Sequence, residues 1–78
     1  MPKLNPLPAK KMAKILYRLG FQELRVGGSH HFFMNPTTKK TACIPIHGNE
    51  YLSIGIIKEI IRDIDLSIEE YEKLRQKI

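Results

Sequence analysis

Residues 21–45, FQELRVGGSHHFFMNPTTKKTACIP, decide the fold. Phe21 to Val26 reads as a strand, and Gly27-Gly28 is a hairpin signal because glycine tolerates positive φ. His30 to Asn35 reads as a second strand. The following Asn35-Pro36-Thr37-Thr38-Lys39 is a turn in which Pro36 supplies a fixed φ. Lys40 to Ile44 is a third strand, ended by Pro45, and His47-Gly48-Asn49-Glu50 is a loop. Connections this short join antiparallel neighbours.

Helical patterns flank this block. From Pro8 to Leu19, Met12, Leu16 and Leu19 recur at helical spacing, and Gly20 stands where a left-handed C-terminal cap belongs. The opposite side of that helix carries a basic ridge of Lys10, Lys14 and Arg18. Downstream, Ile54, Ile57, Ile60, Ile61 and Ile64 form an apolar stripe with Ser53 as N-cap, and Asp65-Leu66 breaks it. Ser67 and Glu70 open a last helix as a capping box, with Leu66 and Tyr71 placed as a hydrophobic staple. Residues 1–7 read as a short arm. The expected fold is α+β: a two-layer α-β-β-β-α sandwich with a three-stranded antiparallel sheet, helices on one face, and a short third helix.

Seventy-eight residues make a single domain, 1–78, with a thin core, since such a chain buries only about 60% of its unfolded surface. No apolar run is long enough to span a bilayer, and the N-terminus lacks the apolar centre of a secretory signal. The single Cys43 excludes an internal disulfide and fits a cytoplasmic, reducing setting. The net charge of +5 is unevenly spread. Residues 1–40 hold eight of the thirteen Lys and Arg and one acid, Glu23; the remainder holds five basic and seven acidic residues. Such asymmetry points to an anion-facing surface, with nucleic acid the first candidate.

His30, His31 and His47 are the only histidines. With Cys43 they number four candidate metal ligands. Yet adjacent strand residues point to opposite faces, so His30 and His31 do not readily share one ion, and no CxxC or HExxH frame exists. No metal or cofactor is therefore expected. Alternation splits the strand into His30, Phe32, Met34 and His31, Phe33, Asn35. Each set holds a phenylalanine, so the buried face stays undecided. A histidine at the mouth of the glycine hairpin, near Lys39 and Lys40 if the second and third strands pair, suits RNA strand cleavage. An imidazole there exchanges protons with the ribose 2′-OH or the leaving 5′-oxygen, and cations stabilise the phosphorus centre. An exposed histidine without a role is the plainer alternative.

An ordered series adds to this: Leu-Gly-Phe at 19–21, Gly-Ser-His-His at 28–31, Asn-Pro at 35–36, Pro-x-His-Gly at 45–48 and Gly-Ile-Ile-Lys-Glu-Ile-Ile at 55–61. Together with Leu-Ser-Ile-Glu-Glu-Tyr at 66–71, it resembles the HicA toxin family of mRNA interferases. Tyr71 stands where phenylalanine is commoner, and Thr37-Thr38 replaces the usual Asp-Gly after Pro36. The resemblance implies a dsRBD-like fold, a metal-independent endoribonuclease that cuts mRNA, and a HicB antitoxin that covers the active face. It places the catalytic histidine at His30, with Gly28 and Ser29 shaping the hairpin. Lys10, Lys14, Arg18, Lys39, Lys40 and His47 are the candidate RNA contacts. A non-catalytic RNA-binding module on the same fold is the alternative, since such a module needs lysines but no histidine.

Overall fold

The computed structural model describes residues 4–78. Its elements are β1 (Leu7–Pro8), α1 (Ala9–Arg18), β2 (Gln22–Gly27), β3 (His30–Met34), β4 (Thr41–Pro45), β5 (Tyr51–Leu52), α2 (Ile54–Asp63) and α3 (Ile68–Lys77). β2, β3 and β4 form the expected antiparallel sheet with β3 in the centre, and the order around it is α-β-β-β-α with α3 appended.

Local chemistry sets the element ends. α1 closes in a Schellman motif. Gly20 takes φ 94°, its N–H bonds the Tyr17 carbonyl at 3.1 Å, and Phe21 N–H bonds that of Leu16 at 2.9 Å. Ser53 and Ser67 cap α2 and α3, each accepting the N–H three residues on, Ile56 at 3.3 Å and Glu70 at 3.1 Å. The β2–β3 turn is Gly28-Ser29 rather than Gly27-Gly28. Gly27 remains in the strand opposite His30, and only Gly28 has positive φ, 62°, as the first residue of a II′ hairpin turn does.

Asn35 organises the other turn. Buried beneath the sheet end, it donates from Nδ2 to the Leu19 carbonyl (3.1 Å), while Oδ1 accepts from Thr37 and Thr38 N–H at 2.8 and 3.2 Å. One side chain thus ties the C-terminus of α1 to the β3–β4 connection. Lys39 takes φ 65° there, a left-handed conformation that glycine adopts more readily.

The core gathers Met12, Ile15 and Leu16 of α1, Phe33 of β3, Ala42 and Ile44 of β4, Ile57, Ile60 and Ile61 of α2 and Tyr71 of α3. Two sequence expectations change. Pro45 belongs to β4, where it pairs with His30. Ile46 N–H points into the sheet and bonds the Ser29 carbonyl at 2.8 Å, so the neighbouring Pro45 nitrogen faces the unpaired edge, where a missing N–H costs nothing. Of the expected arm, residues 1–3 lie outside the described residues, and residues 4–7 are docked. Leu4 and Leu7 are buried in the core, and β1 pairs with β5 through Leu7↔Leu52 and Pro8↔Tyr51.

Candidate active site

The register of β3 decides which histidine faces what. Phe33 is buried, packs edge-on against Tyr17 of α1 (centroids 5.7 Å apart), and stands opposite buried Ala42. His31 shares this helix-covered side and pairs with Ile44. Its Nδ1 lies 2.8 Å from Glu23 Oε2 on β2, so His31 is half-buried and held by a carboxylate.

His30 projects to the other side with Phe32. It is exposed, and among the described residues its ring makes no hydrogen bond or ion pair. Its row across the sheet is Gly27, His30, Pro45, and the next is Arg25, Phe32, Cys43. The His30 and Phe32 rings lie 6.4 Å apart at 31°, and the Arg25 guanidinium sits 4.5 Å from the Phe32 centroid. α2 runs beside β4 and closes one flank. A cleft of about 300 Å³ is lined by His30, Cys43 and Pro45 on the sheet and by Ile56, Glu59 and Asp63 on the helix. Burial pushes the Cys43 thiol up, which reduces its thiolate and suits it poorly to act as a nucleophile. No cluster of three or more His, Cys, Asp or Glu side chains able to hold a metal ion occurs among the described residues.

The other candidate contacts are dispersed. Lys39 and Lys40 are not near His30: β3 pairs His30 with Pro45 and Met34 with Thr41, so the lysines sit at the far end of the strand. Lys40 is further committed to an ion pair with Asp65. Lys10, Lys14 and Arg18 are exposed, but α1 covers the Phe33 side, so their ridge and His30 lie on opposite sides of the sheet. The ridge still has one end near the site. Lys10 borders a groove of about 250 Å³ with Gly48, Asn49, Glu50 and Tyr51, and the loop holding exposed His47 begins where Ile46 bonds Ser29. Gly28, Ser29, His30, His47 and Lys10 therefore cluster at one end of the molecule, and Arg18, Lys39 and Lys40 at the other. Arg25 and Phe32 were missed in the sequence. Their signal was parity, because a two-residue Gly28-Ser29 turn puts residue 25 across from 32.

A small dsRBD-like domain that presents a free histidine on the uncovered face of its sheet is the class of protein this geometry defines. The sequence model of the family described as HicA toxin of bacterial toxin-antitoxin matches residues 9–66, from the start of α1 to the link after α2. The chain belongs to that family: it is the toxin of a toxin–antitoxin system, and a cognate antitoxin is its partner. No curated protein matches it. Among the described residues no helix is long and apolar enough to cross a membrane.

Proposed function

We propose that the toxin acts as an endoribonuclease on mRNA, with His30 as its proton-transfer group. The observation that carries this reading is the contrast between the two adjacent histidines. His31 is engaged by Glu23, whereas His30 is exposed and unengaged at the mouth of a cleft. In the reaction, a base takes the proton of a ribose 2′-OH and that oxygen attacks the adjacent phosphorus. The 5′-oxygen of the next nucleotide then leaves with a proton from an acid, giving a 2′,3′-cyclic phosphate and a 5′-hydroxyl. An imidazole serves either step, and the chemistry needs no metal ion. Gly28 and Ser29 hold the hairpin that aims the ring, and the half-buried Pro45 backs it across the strand pair.

The exposed cations Lys10, Lys14, Arg18 and Lys39 supply affinity rather than chemistry. A single strand leaving His30 passes the His47 loop and reaches Lys10 and then Lys14, with Arg18 and Lys39 as more distant contacts. Binding then weakens with salt, log K falling by about 0.7 per log unit of salt for each phosphate contact. A HicB-type antitoxin silences the toxin by covering the face that bears His30. Its acidic surface speeds association with this basic chain. The alternative of a non-catalytic RNA binder draws on one observation, the separation of the α1 ridge from His30. Cleavage of RNA by saturating protein, wild type against His30→Ala, separates the two readings: wild-type turnover by a folded His30→Ala chain refutes the assignment.

A further inference from the structure

The ribonuclease reading leaves the charge on the phosphorus centre without a partner, because Lys39 and Lys40 lie at the wrong end of β3. We propose that Arg25 fills that place and grips the scissile phosphate against His30. The inference rests on the ribonuclease reading and adds a residue to it.

Arg25 pairs with Phe32 and Gly27 pairs with His30, so the guanidinium and the imidazole are one cross-strand step apart on the same uncovered face. The side chain between them is absent. A Cβ at Gly27 would meet nothing closer than Phe32 Cε2 at 3.9 Å, so the position leaves open room beside His30. Phe32 forms the floor of this space. The guanidinium carbon lies over its ring, 4.5 Å from the centroid, and among the described residues the group makes no ion pair with any acid. A guanidinium carries five N–H donors, more than the ring face can engage, so donors remain for one non-bridging phosphate oxygen and a neighbouring bridging one. The cation–π contact also holds a long side chain in advance, so less freedom is lost when the phosphate arrives. The opposite wall is anionic. Asp63 of α2 shares a cleft of about 320 Å³ with Arg25, Phe32 and Cys43, and Glu59 flanks the His30 cleft beside it. A phosphate entering between the walls is repelled from α2 and drawn to Arg25. The negative charge that grows on the non-bridging oxygens is met there by donors already in place.

The experiment uses the full chain and a short single-stranded RNA with one cleavage site, under single-turnover conditions at saturating protein. Arg25→Gln and Arg25→Ala should slow cleavage by about 10²–10³, the usual loss on removing one positioned oxyanion donor. Arg25→Lys should fall between these and wild type, because it keeps the charge and loses the guanidinium donors. A second readout separates phosphate contact from mere support. With sulfur replacing either non-bridging oxygen of the scissile phosphate, wild type should cut the two diastereomers at different rates, and Arg25→Gln should cut them equally slowly. If one variant fails to fold, Arg25→Lys carries the same diastereomer comparison. Wild-type rates from folded Arg25 variants would overturn the inference alone, as would a slowed variant with undiminished diastereomer preference. An absence of His30-dependent cleavage in the wild type would overturn the ribonuclease reading, and the inference with it.

Discussion

Phe32 and Phe33 are adjacent, identical in kind and on one strand, yet they serve different parts of the molecule. Phe33 lies beneath α1, fully buried against Tyr17 and in the same core cluster as the isoleucines of α2. Phe32 is half-buried on the uncovered face, where its ring supports Arg25 and neighbours His30. The histidines divide the same way, His31 bound to Glu23 and His30 free. A central strand with one covered side thus separates buried from open side chains in alternate residues, and on the proposed reading it combines stability with chemistry. Mutating one set should leave the other set's property intact.

The sharpest way to break this division is His30→Ala. Cleavage should fall by about 10²–10⁴. Thermal unfolding should be unchanged, because an exposed ring contributes little packing. Single-turnover kinetics beside a melt followed by circular dichroism checks both halves, and a comparable loss of stability would collapse the distinction. Next is Phe33→Ala, which should cost about 3–5 kcal/mol, most of the stability of a small domain. Phe32→Ala should cost about 1 kcal/mol or less through loss of the Arg25 cation–π contact. Urea unfolding of the pair measures the difference.

Tyr71→Phe probes the covered layer for a flaw. The Tyr71 hydroxyl is buried and has no hydrogen-bond partner among the described residues, and burial, with Glu72 adding to it, pushes its pKa from 10.0 up to about 12. Removing an unpaired buried hydroxyl should stabilise the fold by about 1 kcal/mol. The sign of the pH effect follows from proton binding. Between pH 10.0 and about 12 the unfolded chain has released this proton and the folded chain has kept it, so wild-type stability falls over that range. The Tyr71→Phe protein should lack that component of the alkaline decline. His31→Ala should have the smallest effect, about 0.2–1 kcal/mol from a partly exposed pair, with cleavage close to wild type. A large activity loss from His31→Ala would mean that the two faces are not separate.

Much of the fold was legible because its signals are local. Gly20, Ser53 and Ser67 mark helix ends by what their own backbone or hydroxyl does, and the strand triplet follows from its turns. The buried side of β3 was not legible, since a period of two has no sign when both parities carry phenylalanine. Contact with α1 supplies that sign. The misplacement of Lys39 and Lys40 has another cause. Successive turns of a meander lie at opposite ends of the sheet, so a turn after β3 cannot adjoin a residue that opens β3. β1 and β5 escaped notice because strands of two residues, one of them Pro8, show no periodicity. At the site, His30 stood out by residue type, whereas Arg25 was counted only as charge until pairing placed it.

The β1–β5 clasp has a consequence for when the toxin becomes active. Leu7 leaves the ribosome before Leu52 and cannot take its place until Leu52 has emerged, so part of the burial around β1 waits on a strand 45 residues further on. Contacts this distant in sequence form late, after the entropy of closing a long loop has been met. Synthesis itself therefore imposes a delay between the appearance of His30 and the completion of the domain that presents it. An antitoxin already in the cell has that interval in which to be waiting.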